Sequence, residues 1–256
     1  MRACFFVLSV SFLACATPPV TPDRVASPPP EGIATPLLLP PTHEDRRSSI
    51  VEAVAAAVEI KTTFARENGW VDEGDRSLFD RVEIFASQNE LWQRVLELHD
   101  LPRDQPLPTK GLAAALEQRH LLAVTPELYV EIVPEYAQAD PDAWARLLAH
   151  ELVHRLHVEV LGGDEDAMGP MWFFEGFAVL GAGQSLDRGL GYASFEEALR
   201  EAKDSASPLA YRRFVAAARF FAARIPLSEL VLHAGGPDFE AWLERRSAAG
   251  ASSASP

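Results

Sequence analysis

The run His150-Glu151-Leu152-Val153-His154 sets two imidazoles four residues apart, with a carboxylate beside the first. On a helix each residue turns about 100°, so His150 and His154 project from one face, one above the other. That spacing lets two imidazoles hold one Zn2+ at about 2.0–2.1 Å. Glu151 lies one position round, beside such a metal rather than on it, where it could take a proton from a zinc-bound water. Chance places this pattern in about one of 60 chains of this composition, so its setting has to add weight. Leu147, Leu148 and Leu152 flank it with apolar side chains, and Asp140-Pro141 upstream is a strong helix start, Asp capping and Pro suiting the first helical position.

A catalytic zinc usually takes three protein ligands and keeps one position open. Trp172-Phe173-Phe174-Glu175-Gly176 supplies the third candidate. Glu175 interrupts an otherwise apolar run from Met171 to Leu180, and an unpaired buried carboxylate is costly. A metal gives it a partner. His157 shares the face of His150 and His154 but sits about 10 Å along the axis from His150, too far to share its ion, and reads as an outer-sphere or surface histidine.

The elements that must position these residues follow from pattern. The HExxH helix runs from Asp140 to about Leu161 and stops at Gly162-Gly163; Asp164, Glu165 and Asp166 then form an acidic loop. A helix over Met171 to Leu180 carries Glu175. Further helices are expected from Phe195 to Lys203, from Pro208 to about Arg224, and after Pro226 and Pro237, the last reaching Arg245. Upstream, Thr42-His43-Glu44-Asp45 looks like a capping box opening a helix from Glu44 to Glu67. Arg81 to Ala86, His120 to Val124 and Leu128 to Val133 read as strands, Asn89 to His99 and Leu112 to Gln118 as helices, and Leu101 to Pro108 as a loop. Strands mixed with helices ahead of a helical second half predict an α+β fold.

The 256-residue chain is 48% hydrophobic and 23% charged, which excludes a wholly disordered or fibrous protein. Its formal net charge of −14 argues against nucleic acid as a partner, because phosphate contacts need Lys and Arg. Both cysteines, Cys4 and Cys15, lie at the N-terminus, so no disulfide framework exists in the body. Residues 1–14 read as a secretory signal, with Arg2 ahead of an apolar stretch too short to span a bilayer. Leu13-Ala14-Cys15 resembles the lipobox of bacterial lipoproteins, which implies acylation of Cys15 and anchoring to a membrane. Residues 15–42 hold nine prolines and are expected to be a tether. A folded domain over 43–246 and a flexible tail over 247–256 complete the organisation.

HELVH followed by WFFEG, with twenty residues between His154 and Glu175 and with Phe177 and Ala178 continuing the pattern, resembles the gluzincin metallopeptidases, and more closely their peptidase-MA-like group. The resemblance is specific from about Leu147 to Ala182. It implies a thermolysin-like catalytic domain, with a small strand-containing lobe before the HExxH helix and a helical lobe after it. It also implies His150, His154 and Glu175 as zinc ligands, Glu151 as general base, and a Tyr or His from the helical lobe at the oxyanion. Tyr211 is the candidate for that role, with Tyr192 and His233 behind it. Tyr129, ahead of the active helix, is expected to line the cleft or to pack. Thermolysin-type enzymes orient a ligand histidine with an Asp four residues after the ligand Glu; here Val179 stands there, so that contact must come from elsewhere.

The expectation is a lipid-anchored protein of the bacterial cell envelope, at the outer membrane, that hydrolyses peptide or protein substrates with Zn2+. The alternatives are a non-catalytic peptidase-like envelope module that binds a protein partner, and a helical lipoprotein with an accidental HExxH.

Overall fold

The computed structural model describes residues 35–107, 112–137, 139–184, 189–204 and 210–253. The signal segment, Cys15 and most of the proline-rich stretch lie outside them, as does Pro208. The chain divides into two units, one built from residues 1–55 and 77–144, the other from 56–76 and 145–256.

The first unit is organised on a four-stranded sheet of β1 (Leu37–Leu38), β2 (Arg81–Phe85), β3 (Ala114–Glu117) and β4 (His120–Val124), in the order β1-β2-β4-β3. β2 runs parallel to both β1 and β4, and β3 and β4 form an antiparallel hairpin. The mixed sheet and helices bear out the α+β class. A 3-10 turn, Pro41–Arg46, leads into α1 (Arg47–Glu67), which continues into the second unit. The expected capping box does not form there: Glu44 is engaged by the Arg47 guanidinium at 2.9 Å, and the Thr42 hydroxyl meets the His43 ring at 2.9 Å. α2 (Val71–Gly74) belongs to the second unit; α3 (Gln88–Leu98) is capped by the Ser87 hydroxyl and packs on the sheet. Ile84, Leu91, Leu96, Leu121 and Leu122 are fully buried. Glu83, inward on β2, is held by Arg94 at 3.1 Å and by the His120 ring at 2.8 Å, which answers the cost of burying its charge.

Three sequence expectations change here. Residues 112–118, alanine-rich and read as helical, hold strand β3, because a two-residue turn at Gln118 and Arg119 (φ 45° and 66°) folds it back onto β4. Cross-strand pairing outweighs intrinsic propensity. Residues 128–133, read as a strand, fall mainly in α4 (Pro126–Ile132): Thr125 caps it by accepting from the Leu128 amide at 3.3 Å, and Pro126 takes the first helical position. Leu37–Leu38, inside the expected tether, is a strand, with Leu37 and Leu39 buried and the Val82 amide donating to the Pro36 carbonyl at 2.9 Å. A short α5 (Pro134–Ala137) closes this unit's helices.

The second unit is helical: most of α6 (Ala143–Val160), then α7 (Met171–Gly181), α8 (Phe195–Lys203), α9 (Ala210–Ala222), α10 (Leu227–Ala234) and α11 (Phe239–Ser253). The α11 backbone runs well into the segment expected to be a loose tail. α6 starts at Ala143, two residues later than the expected first helical position Pro141, and the Asp140 carboxylate accepts from the Asp142 amide at 2.9 Å in the turn that leads into it. The acidic loop is a 3-10 turn over Glu165–Met168. Phe173, Phe177, Phe214 and Phe221 fill the core, and α7 lies along α9. Lys61 of α1 is buried and donates to the Gly74 and Arg76 carbonyls at 2.5 and 3.3 Å.

Candidate metal centre

α6 presents His150 and His154 one turn apart, and α7 brings Glu175 to them. The two Nε2 atoms are 3.0 Å apart, and Glu175 Oε2 lies 3.5 Å from His150 Nε2 and 3.6 Å from His154 Nε2. A triangle with those sides has its centre about 2.0 Å from each corner, the bonding distance of a small divalent ion to nitrogen and oxygen. Glu175 is 2% exposed, and its Oε2 has no hydrogen-bond partner among the described residues. A buried carboxylate oxygen without a hydrogen bond, facing two imidazole nitrogens, is a donor set that a cation would satisfy. The three residues can hold one metal ion, and they are the one such group among the described residues.

Electrostatics point the same way. Burial opposes protonation of His150, but Glu175, Glu151 and Gln184 together outweigh it and push its pKa above the ordinary histidine value. Burial pushes the Glu175 carboxyl up, but the two imidazoles outweigh it and hold the group well below the usual carboxylate range. The two histidines and Glu175 therefore favour opposite charges on one another, the balance a bound cation would also satisfy.

Gln184, buried just past the end of α7, has its Oε1 3.2 Å from His150 Nδ1. The sequence reading missed it. The available signal was a lone amide closing the run Phe177-Ala178-Val179-Leu180-Gly181-Ala182-Gly183. Val179 itself is fully buried, and its apolar side chain offers no hydrogen bond to a histidine.

Tyr211 reaches the site from α9. The residue is 39% exposed, yet its hydroxyl end is desolvated and hydrogen-bonded to Glu175. Burial, that contact and the nearby Glu151 charge push the phenol well above its ordinary pKa. Gly176 makes the approach of α9 feasible, because a Cβ there would lie 2.6 Å from the Ala218 Cβ and 2.7 Å from the Phe214 carbonyl oxygen. Glu151, at the start of the same turn as His150, is buried.

The other candidates lie elsewhere. The Tyr192 hydroxyl donates to the Arg213 carbonyl at 3.3 Å, and His233 is exposed and stacked on Trp242. Tyr129 is buried on α4, not on a strand, in the first unit. His157 is not a surface residue: it is fully buried and stacks on Phe177 at 4.3 Å between ring centroids. Neither of its ring nitrogens has a hydrogen-bond partner among the described residues. Burial pulls its pKa down to about 3.

No family model, curated protein or solved structure matches this chain. No helix among the described residues is long and apolar enough to cross a membrane.

Proposed function

We propose that this chain is a zinc-dependent peptidase of gluzincin type, with a thermolysin-like catalytic arrangement, held at the bacterial cell envelope by acylated Cys15. The observation that carries the reading is the convergence of His150 Nε2, His154 Nε2 and the unpartnered Glu175 Oε2 on one point. Two imidazoles and one carboxylate form a donor set that suits Zn2+ and leaves a coordination position open. When bound, zinc supplies a Lewis acid for the scissile carbonyl and makes water a better nucleophile at neutral pH.

The chain's own groups do the proton work. Glu151 follows the ligand His150 directly and takes the proton of the attacking water as its oxygen bonds to the carbonyl carbon. The same carboxyl then delivers that proton to the leaving nitrogen as the C–N bond breaks. Tyr211 stays protonated because its phenol is pushed up, so it is a hydrogen-bond donor across the working pH range. Beside Glu175, it would donate to the negative charge that develops on the carbonyl oxygen of a bound peptide.

Metal analysis of the purified chain, with cleavage of a broad peptide library and Glu151→Gln as control, tests the proposal. Stoichiometric zinc and cleavage that depends on Glu151 are expected. Stoichiometric zinc without cleavage would favour a binding module that keeps the fold, and absence of bound metal would reduce the HExxH to an accident of sequence.

A further inference from the structure

We infer that Gln184 is the positioning residue for the metal ligand His150, and that a glycine turn clamped by Arg146 holds it in place. The inference rests on the zinc reading above and adds a residue that the family resemblance does not supply, since the position it would point to is the apolar Val179.

The end of α7 is closed by two backbone bonds, Gly183 N to the Leu180 carbonyl at 3.1 Å and Gln184 N to the Val179 carbonyl at 3.0 Å. This is the paired closure of a Schellman motif, which needs a left-handed residue at its centre. Gly183 provides it with φ +65°. The turn also leaves the Ala182 carbonyl open to a donor, and Arg146 Nη1 donates to it at 3.2 Å. Arg146 stands one helical turn before His150 on α6. It lies so close to the turn that a Cβ on Gly183 would come 2.5 Å from its Nη1. The backbone that delivers Gln184 is thus tied to the helix that delivers His150.

The consequence is chemical. Gln184 Oε1 can only accept, so the 3.2 Å contact keeps the proton on His150 Nδ1. Nε2 then carries the lone pair, on the side where His154 Nε2 and Glu175 Oε2 converge. The opposite tautomer would place a proton where the ion belongs and leave the buried amide oxygen unpaired. α7 therefore serves the site twice, through Glu175 in its body and through Gln184 at its capping turn.

Zinc affinity of the full chain, measured by competition with a chromogenic chelator, separates this role from packing. Gln184→Ala should weaken zinc binding about 10- to 100-fold, the usual range for losing an outer partner of a ligand histidine. Gln184→Glu keeps the accepting oxygen at the same reach and should restore affinity to within about threefold of the wild type or better. Gly183→Ala should lower affinity as well and add nothing in combination with Gln184→Ala, because both act through one hydrogen bond. Gln184→Ala binding zinc as the wild type does, or Gln184→Glu binding as weakly as Gln184→Ala, would overturn the positioning role while leaving the zinc site standing. A wild-type chain that binds no zinc would instead overturn the metal reading and this inference with it.

Discussion

The backbone of α9 at Phe214 comes so near Gly176 that a Cβ on the glycine would sit 2.7 Å from the Phe214 carbonyl oxygen. Gly176 follows the candidate ligand Glu175, and Phe214 lies three residues beyond Tyr211, so the contact joins the two elements that carry them. Gly176→Ala must push the helices apart. A stability loss of about 1–3 kcal/mol is expected from overpacking. Peptide cleavage and zinc affinity should both fall, since Glu175, the third candidate ligand, sits on α7 next to the glycine. Denaturant melts, metal content and kinetics on one sample check this.

Legibility from sequence tracked how local each determinant is. Strand β2, helix α3 and strand β4 are written in caps and periodicity over a few neighbouring residues, and they lie where expected. Strand β3 was misread because Ala114 to Leu116 favour a helix by themselves and become a strand only by pairing with Leu121 to Ala123. The Leu37–Leu38 strand was hidden among prolines for the same reason: its partner, Val82, lies far along the chain. In the site, motif spacing shows which residues converge, His150 and His154 on one helix and Glu175 on the next. Gln184 follows no spacing rule; its place depends on the Gly183 turn and the Arg146 anchor.

His157 carries a pH signature. In the unfolded chain it titrates near 6.5, whereas burial lowers it to about 3 in the folded protein. Between those values the unfolded state binds the extra proton, so stability falls as pH drops. The loss from this group amounts to about 1.4 kcal/mol for each pH unit below about 6.5, ending near pH 3. His157→Leu removes two unpartnered buried nitrogens at similar volume. The variant should match or exceed the wild type at pH 7 and lose less stability on moving to pH 5. Equal losses in urea melts at the two pH values would reject this account.

The envelope reading predicts a mature chain that begins at Cys15 and carries acyl groups. Mass spectrometry of the protein from a membrane fraction should show that lipidated N-terminus. Cys15→Ser should release the chain into the soluble fraction without loss of zinc or of peptidase activity, because no site residue belongs to the N-terminal segment. An unmodified N-terminus downstream of Cys15 would contradict the anchor.

The metal and proton roles separate in three substitutions at the site. Glu151→Gln keeps size and hydrogen-bonding atoms but removes the base, so zinc and fold should persist while hydrolysis drops by at least about 100-fold. His154→Ala removes one of three ligands, and zinc and activity should disappear together. Its loss should also lower the thermal midpoint, as chelator treatment of the wild type should, because a bound ion stabilises only the folded chain. Tyr211→Phe keeps the ring and removes the hydroxyl hydrogen-bonded to Glu175. Zinc should stay and KM should change little, while kcat falls up to about 100- to 1000-fold if the hydroxyl serves the oxyanion. Metal content and steady-state kinetics on one cleavable peptide read all three. Full activity in Glu151→Gln would refute the proton-transfer mechanism whatever happens to the zinc, whereas an unchanged kcat in Tyr211→Phe would remove Tyr211 alone and leave His150, Glu151, His154 and Glu175 in place.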